Sequence, residues 1–349
     1  MTPAGDAPET ASLARRPRRE ALRAAPEHRA RPLLKWAGGK RQLLPSIRRF
    51  YPTSFGRYVE PFLGSGAVFF DLQGSGRLRG HPVSLLDSNP DLIACYRTVR
   101  DRPDEVIDAL ERLAAERTAD PAAHYYELRD ARFNPRRLAL VARRGGAPGY
   151  TPDLAAMLIY LNRTGFNGLF RLNARGEFNV PVGRYARPRI CDADNIRSVS
   201  AALKRRGLSL ARAHFSRILD EASAGDFLYL DPPYAPVSRT ARFTAYTAGG
   251  FGPDDQRRLR EVVVTLARRG CHVLLSNSTA PEITDLYERD AGARRAALRC
   301  HRIPARRAIN ARATDRGPVE EFLITNIPQA QACPRQADRQ ADPGLGRRT

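Results

Sequence analysis

The strongest indication of the fold is the sequence Gly225-Asp226-Phe227-Leu228-Tyr229-Leu230-Asp231-Pro232-Pro233-Tyr234. Its apolar run, Phe227 to Leu230, predicts a short buried strand. The strand must end at Asp231, because two consecutive prolines cannot donate the hydrogen bonds of a sheet ladder. Ligands of open α/β sheets bind outside the carboxyl ends of the strands. The stretch therefore predicts a carboxylate, a free carbonyl and an aromatic ring at the ligand-binding edge of an α/β sheet.

The tetrad Asp231-Pro232-Pro233-Tyr234 suits an exocyclic amine. Such an amine could donate one hydrogen to the Asp231 carboxylate and the other to the Pro232 carbonyl, while Tyr234 stacks on the attached base. The same residues are also compatible with a proline-rich turn that the aspartate merely caps.

The composition favours a polyanionic partner. The net charge is +21 and the pI is near 10.7, which indicates nucleic acid before membrane. Only three of the 58 basic residues are lysines, so part of this charge reflects a general preference for arginine. No apolar run is long enough to span a membrane. The five scattered cysteines form no Cys-x-x-Cys pair, which predicts a cytoplasmic protein without a metal site. Together with the basic charge, this predicts a nucleoid-associated protein.

Two glycines and an acid predict a nucleoside-binding site. A short strand leads into Gly64-Ser65-Gly66, where the backbone can bend tightly and approach a ligand. A second strand, Val83 to Leu86, ends in Asp87, at the spacing where Rossmann-like folds bind ribose hydroxyls. The third glycine of the dinucleotide fingerprint is missing. This pattern favours adenosine without a pyrophosphate, namely S-adenosylmethionine.

The middle of the chain changes character. Helices are predicted over 92–99, 105–115, 124–133 and 153–161. Between Tyr160 and Arg189 there are then six arginines and a single acid, Glu177, among asparagines, aromatics and glycines. Arginine can bind guanine, asparagine can bind adenine, and apolar rings can wedge between bases. An ordinary basic loop face around core aromatics would show the same composition.

The α/β pattern resumes after residue 200. It predicts helices over 199–206 and 253–269 and strands over 272–275 and 321–325. A mobile loop is predicted over residues 235–252. The basic segment Arg306–Arg312 is predicted to lie against phosphates.

Five motifs resemble the Dam family of DNA adenine methyltransferases, in family order from about residue 32 to residue 327. They are Lys35-Trp36-Ala37-Gly38-Gly39-Lys40, Glu60-Pro61-Phe62-Leu63-Gly64-Ser65-Gly66, Asp87-Ser88-Asn89-Pro90-Asp91-Leu92-Ile93, the block Asn162 to Tyr185, and Asp231-Pro232-Pro233-Tyr234-Ala235-Pro236 with Phe243-Thr244-Ala245-Tyr246. The resemblance implies a Rossmann-like seven-stranded methyltransferase sheet with a helical target-recognition insert. It also implies methyl transfer from S-adenosylmethionine to adenine N6 in double-stranded DNA at GATC, by a monomer.

The resemblance assigns site residues by position. The catalytic residues would be Asp231, Pro232, Pro233 and Tyr234, and the cofactor would be bound by Trp36, Lys40, Phe62, Gly64, Gly66, Asp87 and Asp231. The DNA would be contacted by Lys35, Asn167, Leu169, Arg171, Pro181 and Tyr185. Phe166 and Thr164 stand where the family usually has tyrosine, so a ring remains without its hydroxyl.

The same reasoning predicts the domain organisation. Residues 31–95 and 195–328 would form a discontinuous S-adenosylmethionine-binding catalytic domain around a target-recognition insert at 96–194. Residues 1–30 and 329–349 have no sustained apolar face and are expected to be a disordered arm and tail.

Two kinds of alternative stay open. The tetrad would also serve a cytosine-N4 methyltransferase or an RNA adenine methyltransferase, although the insert favours duplex DNA. A catalytically silent DNA-binding protein is the third possibility, and the intact Asp231 and cofactor motifs argue against it.

Overall fold

The computed structural model describes residues 29–36, 38–117, 120–141, 149–237, 251–306 and 318–328. Most of the expected N-terminal arm, the whole tail, residues 238–250 of the expected loop and residues 307–312 of the basic segment lie outside these ranges.

Seven strands within the described residues form one mixed sheet in the order β3-β2-β1-β4-β5-β7-β6. The first five strands pair in parallel, and β7 is antiparallel to both of its neighbours. The predicted Rossmann-like sheet is therefore confirmed. The bounds are β1 Tyr58–Glu60, β2 Val83–Asp87, β3 Leu208–Arg212, β4 Phe227–Leu230, β5 His272–Ser278, β6 Arg299–Arg306 and β7 Pro318–Thr325.

The order of the strands places the site. From β1 the chain moves outward to β2 and β3, and then returns to the other side of β1 as β4. This reversal between β1 and β4 is the switch point at which open α/β sheets form a crevice. The turn after Glu60 and the turn after Leu230 therefore lie side by side.

Helices cover both faces of this sheet, and none of those in the described ranges is long and apolar enough to cross a membrane. The α-helices are α1 Leu44–Ile47, α2 Ala67–Gly74, α3 Pro90–Asp101, α4 Pro103–Ala115, α5 Pro121–Glu127, α6 Asn134–Val141, α7 Pro152–Thr164, α8 Ala193–Leu203, α9 Ile218–Glu221, α10 Pro253–Arg268, α11 Pro281–Ile283 and α12 Ala291–Arg295. Single turns of 3-10 helix occur at Lys40–Gln42, Arg48–Phe50, Phe166–Gly168 and Phe215–Arg217, and π-helix occurs at Leu128–Phe133 and Thr284–Glu288.

The core has one cluster on each face of the sheet. Tyr58 of β1 belongs to one cluster and Val59 belongs to the other, because successive side chains of a strand point to opposite faces. Helices between residues 96 and 194 pack into the first cluster, which includes Val106 and Leu158. This region therefore shares a core with the sheet. The proposed division into two domains stays a prediction, and its boundary at residue 95 falls inside α3.

Several element bounds differ from the expectation. Strand β5 continues through Ser276 to Ser278, since β7 pairs with these residues and removes them from water. The edge strands β3 and β6 were missed. Polar residues interrupt the apolar ones in both strands, as Ser209 does in β3 and His301 in β6, so neither shows a continuous apolar run for a pattern to detect.

Candidate active site and the 164–183 hairpin

Asp231 lies at the end of β4 and faces a buried lysine. Lys40 Nζ is 2.8 Å from Asp231 Oδ1 and donates to the Gly38 carbonyl at 2.6 Å. Lys40 is almost fully buried, whereas Asp231 retains some solvent contact. Among the residues that the structure describes, no donor binds Asp231 Oδ2 or the Pro232 carbonyl. Two acceptors are therefore available at the mouth of the sheet.

The charge state of Asp231 is set by opposing effects. Burial raises the pKa of its carboxyl to about 6, while the Lys40 ammonium opposes the rise and Glu321 adds to it. Glu321 Oε2 accepts a hydrogen bond of 2.7 Å from the Tyr234 hydroxyl, and Lys40 Nζ lies 4.6 Å from the centroid of the Tyr234 ring. At neutral pH Asp231 is thus a carboxylate, and Tyr234 is held at its hydroxyl by Glu321 and on one face of its ring by Lys40.

A buried amide chain holds the turn after Asp231. Gln256 Nε2 donates to the Pro233 carbonyl at 3.0 Å, and Asn277 Nδ2 donates to Gln256 Oε1 at 3.0 Å. Ser278 Oγ donates to the Ala235 carbonyl at 2.7 Å. The three polar side chains are buried. These contacts come from α10 and β5, far along the chain, and no motif pointed to Gln256.

The glycine turn and Asp87 are brought together as predicted from their spacing. Asp87 Oδ2 accepts from the Gly64 amide at 3.0 Å, and its Oδ1 accepts from the Asn89 amide at 2.9 Å. Gly66 has φ +68°, a conformation that favours glycine, immediately before α2. Burial raises the pKa of Asp87, and the backbone amides oppose the rise. Each carboxylate oxygen keeps a lone pair for a ligand.

Sequence reasoning missed an aromatic wall beside this turn. Phe62 stacks on Phe215 with centroids 5.4 Å apart, and Phe251 meets both rings at 5.7 Å. His214 lies against Phe215 at 4.2 Å. His214 and Phe215 follow the carboxyl end of β3, so recognition of that edge strand would have pointed to them.

Glu60 is a buried acid beneath the site. Its carboxylate accepts a hydrogen bond of 2.7 Å from the Tyr58 hydroxyl. Burial raises the pKa of Glu60 to about 8, the Tyr58 hydrogen bond opposes the rise, and the charges of Asp231 and Asp87 add to it. Glu60 is therefore mostly protonated at neutral pH, which avoids a third negative charge near the partly buried carboxylates of Asp231 and Asp87.

An irregular antiparallel hairpin, residues 164–183, carries most of the DNA-contact candidates. The bridges Gly165–Val182 and Leu172–Phe178 define it, and the Phe166 amide donates to the Pro181 carbonyl at 2.8 Å. We use the name tip for residues 166–168, a turn of 3-10 helix on the first strand of this hairpin, whereas the chain reverses direction at residues 173–177. Asn167 is exposed at this tip with φ +53°, and Pro181 is exposed opposite.

The candidates on the hairpin differ in exposure. The exposed Arg171 donates through Nε to Asn179 Oδ1 at 2.8 Å, so its Nη1 stays free of described partners. Leu169 is half-buried and packs against the core. Phe166, which was not in the DNA-contact set, has 45% of its surface exposed. Among the described aromatic rings of the hairpin, Phe166 is therefore the exposed one.

Lys35 and Trp36 join the hairpin to the site. Lys35 Nζ lies 4.0 Å above the Tyr185 ring. The Trp36 ring stacks on Phe170 with centroids 5.7 Å apart, and a Cβ added to Gly64 would be 3.0 Å from Trp36 Cδ1. Trp36 thus contacts both the hairpin and the glycine turn.

Comparison with known proteins gives a consistent family. A family model described as D12 class N6 adenine-specific DNA methyltransferase matches residues 36–307. The chain is 37% identical over 298 residues to a type II methyltransferase from Lactococcus lactis subsp. cremoris, covering 85% of this chain and 95% of that protein. It is 36% identical over 298 residues to the DNA adenine methylase of Escherichia coli K12, with coverages of 85% and 96%. A type II methyltransferase from Methanocaldococcus jannaschii is 34% identical over 307 residues, with coverages of 85% and 99%.

Proposed function

The chain belongs to the D12 class of N6 adenine-specific DNA methyltransferases, and on this basis we propose that it methylates adenine within GATC, using S-adenosylmethionine and flipping the target base out of the duplex. The predicted resemblance to the Dam family is confirmed by the same comparisons. The observation that carries the proposal is a pair of acceptors to which no described residue donates, Asp231 Oδ2 and the Pro232 carbonyl, beside the Lys40 ion pair.

The residues beside Asp87 fit S-adenosylmethionine. Gly64 and Gly66 leave space that a Cβ would fill against Trp36 and Phe70. Asp87 offers acceptors for ribose hydroxyls, and the stacked rings of Phe62 and Phe215 offer an apolar wall for an adenine ring. The bound cofactor supplies a methyl group that its sulfonium already activates.

Asp231 and Pro232 act on the nucleophile. Adenine N6 is a poor nucleophile because its lone pair is delocalised into the ring. Hydrogen bonds from the two N6 hydrogens to Asp231 Oδ2 and the Pro232 carbonyl favour a tetrahedral nitrogen with a localised lone pair. These preorganised acceptors stabilise the positive charge that develops on N6. The methylated amine is acidic, so the surplus N6 proton leaves along the Asp231 hydrogen bond to water without a strong general base.

Lys40 and Tyr234 position these groups. Lys40 occupies Asp231 Oδ1, which leaves Oδ2 to face the base, and it lowers the pKa of the carboxyl. Tyr234 is anchored by Glu321 and presents its ring for stacking on the extruded adenine. Lys40 was predicted from the resemblance as a cofactor residue, and its ion pair adds a role at the catalytic carboxylate.

The 164–183 hairpin is proposed to read the duplex. Arg171 Nη1 has no partner among the described residues and can bind guanine, and Asn167 is exposed on the same hairpin. Phe166 would fill the gap left by the flipped base. Lys35, Leu169, Pro181 and Tyr185 complete the proposed contact surface.

The test uses purified protein, tritiated S-adenosylmethionine and short duplexes that contain GATC or a variant changed at one base. We expect label on adenine N6 in the GATC duplex alone. Label on cytosine or on every duplex would overturn the base or the site. Tight DNA binding without label would overturn the catalytic proposal.

A further inference from the structure

The segment Lys35–Lys40 connects the hairpin tip to Asp231. At one end, the main chain of Lys35 is hydrogen-bonded to the side chain of Asn162. At the other end, Lys40 forms the ion pair with Asp231. Between these ends, the Gly39 amide donates to the Trp36 carbonyl at 3.0 Å and Lys40 Nζ donates to the Gly38 carbonyl at 2.6 Å, so described residues link the main chain beside Lys35 to the catalytic carboxylate.

Asn162 holds the Lys35 end with its whole amide group. Its Oδ1 accepts from the Lys35 amide at 2.8 Å, and its Nδ2 donates to the Lys35 carbonyl at 2.8 Å and to the Gly168 carbonyl at 2.9 Å. Asn162 is only 2% exposed. All of its donors are used, so a single buried side chain fixes Lys35 and the hairpin tip to each other.

The contact between the tip and Lys35 leaves no spare room. Gly168 has φ +63°, and a Cβ added to it would lie 2.2 Å from Lys35 Cβ. On the other side, Lys35 Nζ lies against Tyr185. The tip cannot move toward Lys35 without displacing it.

We propose that Asn162 is a positioning residue that couples the seating of the hairpin tip on DNA to the placement of Lys40 against Asp231. The inference rests on the proposed reading of a short duplex site by the hairpin. A tip seated on the correct site holds Lys35 in place, and the ion pair presents Asp231 to the base. When the tip is not bound to the correct site, it does not stabilise the alignment of Lys40 with Asp231. Sequence recognition therefore contributes to the chemical step as well as to binding.

A purely structural role is distinguished by a matched residue. Asn195 holds the main chain of Arg31 in the same way, accepting from its amide at 2.9 Å and donating to its carbonyl at 3.1 Å. Asn195 is also buried, with 4% exposed. It contacts neither the hairpin nor the segment Lys35–Lys40 within the part of the chain that the structure describes.

The experiment compares the full-length variants Asn162→Asp and Asn195→Asp. The first substitution replaces two donors with a carboxylate that repels the carbonyls of Lys35 and Gly168. We expect it to lower kcat on the GATC duplex by about 10- to 100-fold, as for a small misplacement of a reacting group. The KM for S-adenosylmethionine should stay within about twofold, and the kcat ratio between GATC and one-base variants should shrink. Asn195→Asp should retain both kcat and discrimination.

A second pair of variants keeps the test decisive if Asn162→Asp does not fold. Gly168→Ala forces the collision with Lys35. Gly176→Ala also places a side chain at an unfavourable φ, here +76°, but at the opposite end of the hairpin. There the nearest atom to the added Cβ is 3.7 Å away. Only Gly168→Ala should lose kcat and discrimination together.

The outcomes separate the two proposals. Equal effects in the members of each pair, or full discrimination in Asn162→Asp and Gly168→Ala, would overturn the coupling. If the wild-type protein does not discriminate GATC from its variants, the proposed function is at fault instead.

Discussion

The turn after Asp231 and the 164–183 hairpin both present polar groups to a substrate, but different forces hold them. The turn follows a strand with parallel neighbours on both sides, so the sheet ladder fixes where Asp231 emerges. The hairpin has only isolated bridges among its described residues. Buried amides hold it from outside: Asn162 binds its tip, and Asn134 binds both the amide and the carbonyl of Phe178, at 2.8 and 3.0 Å.

The difference predicts two kinds of mutational effect. Changes at the turn should alter the rate of the chemical step and leave sequence preference intact. Changes in the exposed part of the hairpin should alter sequence preference first. The following experiments test whether the turn controls the rate of the chemical step and the hairpin controls sequence preference.

Asp231→Ala should have the largest effect. Loss of the acceptor should lower kcat by about 100- to 1,000-fold, the size seen when an electrostatic group at a reacting centre is removed. Affinity for the GATC duplex, measured by fluorescence anisotropy, should change by less than about threefold, because the extruded base is the only part of the DNA that Asp231 is proposed to contact. Turnover near the wild-type rate would remove Asp231 from the mechanism.

Lys40→Met should have the next largest effect and should depend on pH. Activity needs the Asp231 carboxylate, so kcat of the wild-type protein should fall as the pH drops below about 6. Loss of the ammonium raises the pKa of Asp231, because burial and Glu321 are then unopposed. The acid limb of kcat should move to higher pH, and activity at pH 7 should fall by about 10- to 100-fold and recover partly in alkaline buffer. An acid limb at the wild-type position would contradict the role given to the ion pair.

Arg171→Ala should mainly change specificity. We expect a loss of about 1–3 kcal/mol in discrimination at a single base position, measured as kcat/KM over one-base variants of GATC. Arg175→Ala is the matched control, since Arg175 is exposed at the turn of the same hairpin. It should weaken binding to all duplexes alike and reduce the salt dependence of affinity. A sequence preference that Arg171→Ala leaves intact would exclude Arg171 from the reading set.

Glu60→Gln should have the smallest effect on catalysis. Glu60 is mostly protonated at neutral pH, so glutamine replaces it closely, and kcat at pH 7 should stay within about twofold. The folded state retains a proton that the unfolded chain loses, because the pKa of Glu60 rises from 4.5 to about 8 on folding. Its contribution to stability is therefore complete below about pH 4.5 and is lost as the pH rises through about 8. The free energy of unfolding, measured by thermal unfolding, should decline between about pH 4.5 and 8, and the decline should be smaller in Glu60→Gln; identical declines would mean that Glu60 is ionised when folded.

The fold class and the position of the candidate site could be read from the sequence. An apolar run stopped by Asp231-Pro232-Pro233 predicts a strand whose carboxyl end opens onto a site, and Gly64-Ser65-Gly66 with Asp87 predicts the neighbouring strand ends. These signals are local, because strand termination and glycine turns depend on residues adjacent in the chain. The structure places Asp87 against Gly64 as this pattern indicated.

The tertiary structure alone decided which groups surround these residues. Lys40 binds Asp231, Gln256 binds Pro233 and Asn162 binds Gly168 through contacts that depend on how distant elements pack. The edge strand that leads to Phe215 also gave no apolar signal. A buried amide or ammonium looks like any polar residue in a sequence, and only the packing of the chain removes it from water and makes its choice of partner obligatory.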